Sequence, residues 1–337
     1  MPATAGSGAL RHPSTSKENR QRKRLLQTRP ESRLSSTDFS LCAFAPANMS
    51  NLLPKRSRLL SVAVISLVAL VCGCGIFIFR DPPPPIPLSG WILTWSDEFS
   101  SPDGSSPDPR NWTYDIGGKG WGNQELEYYT KRPENARIEK GNLVITAVRE
   151  SYNGGDGLTR DYTSARLKTQ GLFAQTYGRF EARIKIPAGQ GMWPAFWMLG
   201  EDIPTAGWPK CGEIDIMENV GKEPGTVHGS LHGPSTQRPT SDLTSIFTLP
   251  AGQNFADDFH LYAIEWEPDL VRFYVDSNLY ATFSSSQWPA GGKWVFDHPF
   301  FIILNLAVGG NWPGSPDAST KFPQSMLVDY VRVYTKR

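Results

Sequence analysis

Cysteine is scarce in this sequence. Of 4 cysteines in 337 residues, only Cys211 lies beyond residue 90, so the rest of the chain cannot close an internal disulfide. A single thiol with histidines far from it in sequence is also a poor zinc constellation. Large aromatics are missing from the opposite end, because all 11 Trp and all 11 Tyr fall at or beyond Trp91. The first 90 residues therefore have little with which to build a core, and one folded domain is expected over 91–337. A net excess of charge is missing as well, since the formal value is +1, but that value hides a split. Residues 1–90 carry 12 Lys+Arg against 4 Asp+Glu, and the remainder carries 22 against 29. An acidic, aromatic-rich domain argues against binding a nucleic-acid phosphate backbone.

What the N-terminal part does contain points outward from the cytoplasm. Residues 1–58 are rich in Ser, Arg, Lys, Pro and Thr without apolar periodicity, the composition of a disordered leader. Residues 59–79 form an uncharged run bracketed by Lys55, Arg56 and Arg58 before it and Arg80 after it. That run is long enough to span a bilayer, and its basic flank predicts an inside N-terminus. Met49 opens a second reading, in which translation starts there, the run is a signal peptide and residues 1–48 are a gene-start artefact. Cys72 or Cys74 is a further candidate for lipid attachment, although the residues before each fit such a site poorly and buried membrane cysteines are the plainer reading. Residues 80–90, with Asp81-Pro-Pro-Pro-Pro-Ile-Pro87, read as a stiff spacer. Each version exports the domain, as an anchored or a secreted protein.

Beyond Trp91 the apolar residues alternate in short runs, among them Asn142 to Val148, Phe180 to Ile186, Leu261 to Trp266, Val271 to Val275, Phe301 to Val308 and Leu327 to Tyr334. Glycine, proline and aspartate punctuate them, and no long amphipathic helix is visible. Many short strands in a domain of this size predict an all-β sandwich with curved sheets.

The densest chemistry lies in Gly212-Glu213-Ile214-Asp215-Ile216-Met217-Glu218-Asn219. In a strand Glu213 and Asp215 share one face while Ile214 and Ile216 enter the core. Glu218 falls on the wrong face unless a β-bulge near Met217 absorbs one extra residue. Three carboxylates together raise one another's pKa. Hydrolysis of a glycosidic bond with retention needs such a set, an ionised nucleophile and a protonated acid ~5–5.5 Å apart. The plainer alternative is a solvated strand face. Aromatic stretches at Met192-Trp193-Pro194-Ala195-Phe196-Trp197 and Gly309-Gly310-Asn311-Trp312-Pro313 favour the site, because flat rings stack on sugars and buried indoles want an N–H acceptor. The same tryptophans also suit a core.

Glu213-Ile-Asp-Ile-Met-Glu218 resembles the signature of glycoside hydrolase family 16, in the longer form typical of laminarinase-like members and also found in agarases and carrageenases. The resemblance extends over nearly all of 91–337 through Trp95-Ser-Asp-Glu-Phe99, Gly120-Trp-Gly-Asn-Gln-Glu-Leu-Glu-Tyr-Tyr129, Tyr162-Thr-Ser-Ala-Arg166, Tyr177-Gly-Arg-Phe-Glu-Ala-Arg183 and Val328-Asp-Tyr-Val-Arg-Val-Tyr334. It implies a β-jelly-roll sandwich of the concanavalin A-like kind, with a substrate cleft on its concave face. It implies Glu213 as nucleophile, Glu218 as general acid and then base, and Asp215 as their proton-holding partner. It places Trp193, Trp197, Trp312, Asn123, Glu125, Arg166 and His232 around the sugar; His232 has an equal claim to a structural role. Some members bind a structural Ca²⁺, and the matching positions are Glu98, Gly141 and Asp329, which also read as ordinary surface residues. No cofactor is expected for catalysis.

The expected activity is endo-hydrolysis of β-1,3-glucan by a monomer. Its rivals are the same mechanism on mixed-linkage glucan, agarose or carrageenan, a transglycosylase with the same acids, and a non-catalytic glucan-binding protein. The last would have lost catalytic glutamates, which this chain keeps, and no basic run suits a sulfated polymer.

Overall fold

A computed structural model describes residues 89–337. The leader, the apolar run and nearly all of the spacer lie outside the described residues, and so do the membrane-anchor, signal-peptide and lipid-attachment readings. Among the described residues no helix is long and apolar enough to cross a membrane.

In chain order the strands are β1 (Trp91–Asp97), β2 (Thr113–Asp115), β3 (Glu127–Tyr129), β4 (Ala136–Glu139), β5 (Asn142–Asn153), β6 (Thr159–Ser164), β7 (Arg166–Lys168), β8 (Gly178–Lys185), β9 (Met192–Gly200), β10 (Glu213–Glu218), β11 (Thr226–Gly233), β12 (Ser241–Thr248), β13 (His260–Glu267), β14 (Leu270–Val275), β15 (Asn278–Ser284), β16 (Phe300–Val308) and β17 (Gln324–Lys336). The only α-helix among the described residues is the four-residue α1 (Ile203–Ala206).

Two sheets stack. The larger has ten strands in the order β15-β14-β13-β8-β17-β5-β6-β3, with β1 added on β17 and β4 on β5, and the smaller has seven in the order β12-β11-β10-β9-β16-β7-β2. This is the all-β sandwich expected from the pattern, in the jelly-roll form that the family resemblance implies. Pairing is antiparallel apart from β3 with β6. The core lies between the sheets, where Phe196, Ile214 and Phe300 of the smaller meet Phe180, Ile264, Trp266 and Phe273 of the larger. Trp266 is fully buried, and its indole N–H donates to the Phe296 carbonyl at 3.1 Å, so its one polar atom is satisfied. Truncating such a ring to alanine costs ~3–5 kcal/mol.

The strand β16, Phe-Phe-Ile-Ile-Leu-Asn-Leu-Ala-Val, is buried along its whole length. One face enters the core and the other forms the floor of the smaller sheet's outer surface. Asn305 is its sole polar residue, and that surface carries the candidate site.

Candidate active site

The backbone of β10 departs from regular geometry where the acids require it. Against β11, Asp215 pairs with Ser230 and Glu218 with His228, so Ile216 and Met217 together oppose Gly229 alone. Against β9 the shift falls between Asp215 and Met217. Both Ile216 and Met217 are buried in the core, and Glu218 returns to the face of Glu213 and Asp215. The bulge expected near Met217 is therefore present. Two glycines permit it. A Cβ on Gly229 would stand 2.3 Å from the Tyr280 hydroxyl, and Gly212, which leads into β10, has φ +72° with Phe300 2.8 Å from where a Cβ would be. A side chain at either place would push the strand off its seat.

Each acid has its own partner. The Trp208 indole N–H donates to Glu213 Oε2 at 2.7 Å, and that of Trp193 donates to Glu218 Oε1 at 3.0 Å. Asp215, between them and almost fully buried, has His232 Nε2 3.0 Å from its Oδ2, a charge contact not aligned as a hydrogen bond. On the far side His232 Nδ1 lies 2.6 Å from Asp242 Oδ1.

These surroundings raise both glutamates. Burial, and next the Asp215 charge, push the Glu213 carboxyl up to about 8. Burial with the charges of both Asp215 and Glu213 holds Glu218 well above the usual carboxylate range. Both carboxyls are thus raised, and Glu218 meets the charge of Glu213 in addition to that of Asp215, as suits an acid that must hold a proton. Burial opposes a charge on His232, but the close contact and charge of Asp215, followed by Glu213 and Asp242, outweigh it and carry the imidazole up to about 11.

The cleft has two lobes that meet at Glu213 and Glu218. The first, about 310 Å³, is lined by Trp121, Asn123, Glu125, Arg166, Trp193, Trp197, Trp208 and Asn305. The second, about 410 Å³, is lined by His228, Ser230, His232, Thr240, Asp242, Thr244 and Trp312. The structure thus gathers the acids and every expected sugar-facing residue, with Trp312 and His232 in the second lobe and the rest in or bordering the first. Trp197 is held in place because its N–H donates to Asn305 Oδ1 at 2.7 Å, while Asn305 Nδ2 donates to the Tyr129 hydroxyl at 3.2 Å and that hydroxyl to Glu125 Oε2 at 3.0 Å. The Arg166 guanidinium lies over the rings of Trp197 and Trp121, at 4.7 and 5.1 Å, with its charge met by Asp115 at 2.9 Å. Trp312 is 37 % exposed and meets Trp193 edge-on at 5.5 Å.

Among the lining residues that the sequence did not mark are Trp121, Trp208, Asp242 and Asn305. Asn305 carried a usable signal, a lone amide in an otherwise apolar strand. Trp121 sits inside a motif already noted, with φ +47°, a conformation uncommon for a bulky residue and of the kind that collects at binding sites. Trp208 and Asp242 had no local signal, because they arrive from a loop and from a neighbouring strand.

The three positions matched to calcium lie away from both lobes. The Glu98 carboxylate takes a forked pair of hydrogen bonds from Arg332, both 2.8 Å, and Asp329 is paired with Arg183 at 2.8 Å. Gly141 occupies the left-handed turn between β4 and β5. As placed, the Glu98 carboxylate is engaged through both oxygens and the Asp329 carboxylate through Oδ2, so a cation bound by these side chains would compete with two arginines.

Comparison with known proteins bears on this geometry. The family model described as Glycosyl hydrolases family 16 matches residues 123–332. A beta-glucanase of Rhodothermus marinus is 47 % identical over 261 residues, covering 72 % of this chain and 85 % of that protein. The laminarinase catalytic domain of Thermotoga maritima superposes with a TM-score of 0.67 at 49 % identity, over 73 % of this chain and 99 % of its own. The endo-beta-1,3-glucanase of Pyrococcus furiosus gives 0.69 at 49 % identity, over 73 % and 95 %.

Proposed function

The chain belongs to glycosyl hydrolases family 16, and from that premise we propose that it cleaves β-1,3-glucan internally by double displacement with retained anomeric configuration. The observation that carries the reading is the bulged strand β10, which sets Glu213 and Glu218 on one face with Asp215 between them.

The ionised Glu213 attacks the anomeric carbon as the bond to the leaving oxygen breaks, and Glu218 gives that oxygen its proton. The product is a glycosyl ester on Glu213, whose charge is then gone. Glu218, now a carboxylate, takes a proton from an incoming water, the water oxygen attacks the same carbon, and the Glu213 carboxylate departs. A sugar hydroxyl in place of water gives transglycosylation, so that product is expected as a minor one. No step passes through a metal.

Neutral glucan suits the cleft. Among the lining residues Arg166 is the only lysine or arginine, and its charge is already met by Asp115, which leaves no spare cation for a sulfate group. Indole faces supply sugar stacking instead. We place the domain outside the cytoplasm, anchored through residues 59–79 or released, and working as a monomer; the sequence pattern alone supports that placement.

The test is turnover by the purified full chain on laminarin, with lichenan, agarose and carrageenan alongside, and azide added to the variants. Wild type releases short β-1,3-oligosaccharides whose first-formed anomer is β. Glu213→Ala with azide gives the α-glycosyl azide, whereas Glu218→Ala with azide gives the β-azide. First-formed α-anomer from wild type would overturn retention, and activity confined to another polymer would replace the substrate while keeping the mechanism.

A further inference from the structure

The three acids of β10 are opposed by one cationic side chain within contact distance, and that side chain is itself held from behind. β10, β11 and β12 run side by side, with Glu213 directly opposite His232 and His232 directly opposite Asp242. A carboxylate oxygen of Glu213, one of Asp215 and a ring nitrogen of His232 all lie within 4.8 Å of one another. Asp242 is steadied in turn by Thr240, whose hydroxyl donates to its Oδ2 at 3.0 Å.

The His232 ring meets a carboxylate oxygen at each nitrogen, Asp215 at 3.0 Å and Asp242 at 2.6 Å. A neutral imidazole has one N–H and one lone pair. In either tautomer the unprotonated nitrogen would stand at contact distance from a carboxylate oxygen, a repulsive arrangement. Only the imidazolium presents a proton to both sides.

We propose that Asp242 is a positioning residue that acts through His232, holding it as a fixed imidazolium against Asp215 so that the acids of β10 can carry their negative charge during turnover. The groups facing His232 are Glu213, Asp215 and Glu218 from β10 and Asp242 from β12. On its own strand His228 is pushed down by burial and adds no charge, and Tyr280 of β15 is held neutral by burial and by Asp215. Loss of the imidazolium leaves the acids facing one another alone, and each then ionises at higher pH. One strand, β11, separates Asp242 from the glutamates in the pairing order, so it touches neither reacting atom. Its effect must reach the chemistry through the ring.

This inference rests on the double-displacement reading, and the first measurement separates the two because it needs no turnover. In the full chain with ring-¹⁵N histidine, the His232 signals are assigned by their loss in His232→Gln. They should show both ring N–H groups from pH 5 to 9. Asp242→Asn should bring the His232 titration down and move both limbs of the pH profile of kcat/KM upward by ~1 unit, a tenfold change in the ionisation constants. Asp242→Glu should restore part of the shift. A purely structural role would lower the active fraction and leave the limbs in place. A wild-type His232 that is neutral at pH 8, or Asp242→Asn with unmoved limbs, would overturn the proposal. Should Asp242→Asn fail to fold, the wild-type ring spectrum decides alone.

Discussion

Both sheets place carboxylates on strand faces, yet they answer the charge in opposite ways. In the larger sheet Glu181, almost fully buried, receives Arg179 at 2.8 Å and the Tyr334 hydroxyl at 3.2 Å. Glu265 receives the same arginine at 3.3 Å and the Tyr274 hydroxyl at 2.9 Å. Glu98, just past the end of β1, is forked onto Arg332, which also lies 3.7 Å over the Tyr330 ring. In the smaller sheet Glu213, Asp215 and Glu218 have two indole N–H groups and one imidazole. Guanidinium partners meet the charge of their carboxylates, whereas in the smaller sheet burial and crowding outweigh the two indole N–H groups and keep a proton available. The first arrangement holds the fold, and the second sacrifices some stability so that a proton can move.

The sharpest way to break this contrast is to neutralise one acid of the smaller sheet. Glu218→Gln should lower kcat/KM on β-1,3-glucan by ~10²–10⁴-fold while the protein melts no lower than wild type, as seen by product assay and calorimetry together. A variant that melts lower and keeps its activity would place the residue among the structural acids. The mirror experiment is Arg179→Ala, which strands two carboxylates and should cost ~3–5 kcal/mol in denaturant unfolding, with kcat of the folded fraction unchanged.

A smaller effect follows from the raised carboxyl of Glu213. An unfolded glutamate ionises near ~4.3, while the folded one holds its proton up to about 8. Between those values the folded state binds more protons than the unfolded, so this group's contribution falls as pH rises through the window. Glu213→Gln should therefore gain stability over wild type progressively from pH 5 to pH 8, read as the difference between their unfolding midpoints. A constant difference would contradict the shift. The smallest effect is expected from chelation: with Glu98 and Asp329 engaged by Arg332 and Arg183, EDTA should alter neither turnover nor melting temperature. A drop of several degrees, reversed by Ca²⁺, would show that a cation displaces those arginines.

What the sequence made legible follows from the range of each interaction. The strands, the sandwich and the acidic motif were readable because alternation and the Ile214, Ile216 and Met217 pattern are local. The bulge was readable because Glu218 had to reach the face of Glu213 and only one extra residue could bring it there. Asp242 was not readable, because its role depends on the β11–β12 register, which sets it opposite His232 only once the sheet forms. Trp208 was hidden for a similar reason, since it reaches Glu213 from a loop. The calcium positions show the reverse case. The resemblance supplied the residues, but the guanidinium partners that occupy them come from β8 and β17.

The central claim is that Glu213 carries the glycosyl group. The most direct test is mass spectrometry of the full chain after reaction with a 2-deoxy-2-fluoro β-1,3-glucosyl fluoride, followed by peptide mapping. The account predicts one stable adduct, on the peptide that holds Glu213 and assigned to that residue by fragmentation. An adduct on Glu218, or turnover of the probe with none trapped, would contradict it.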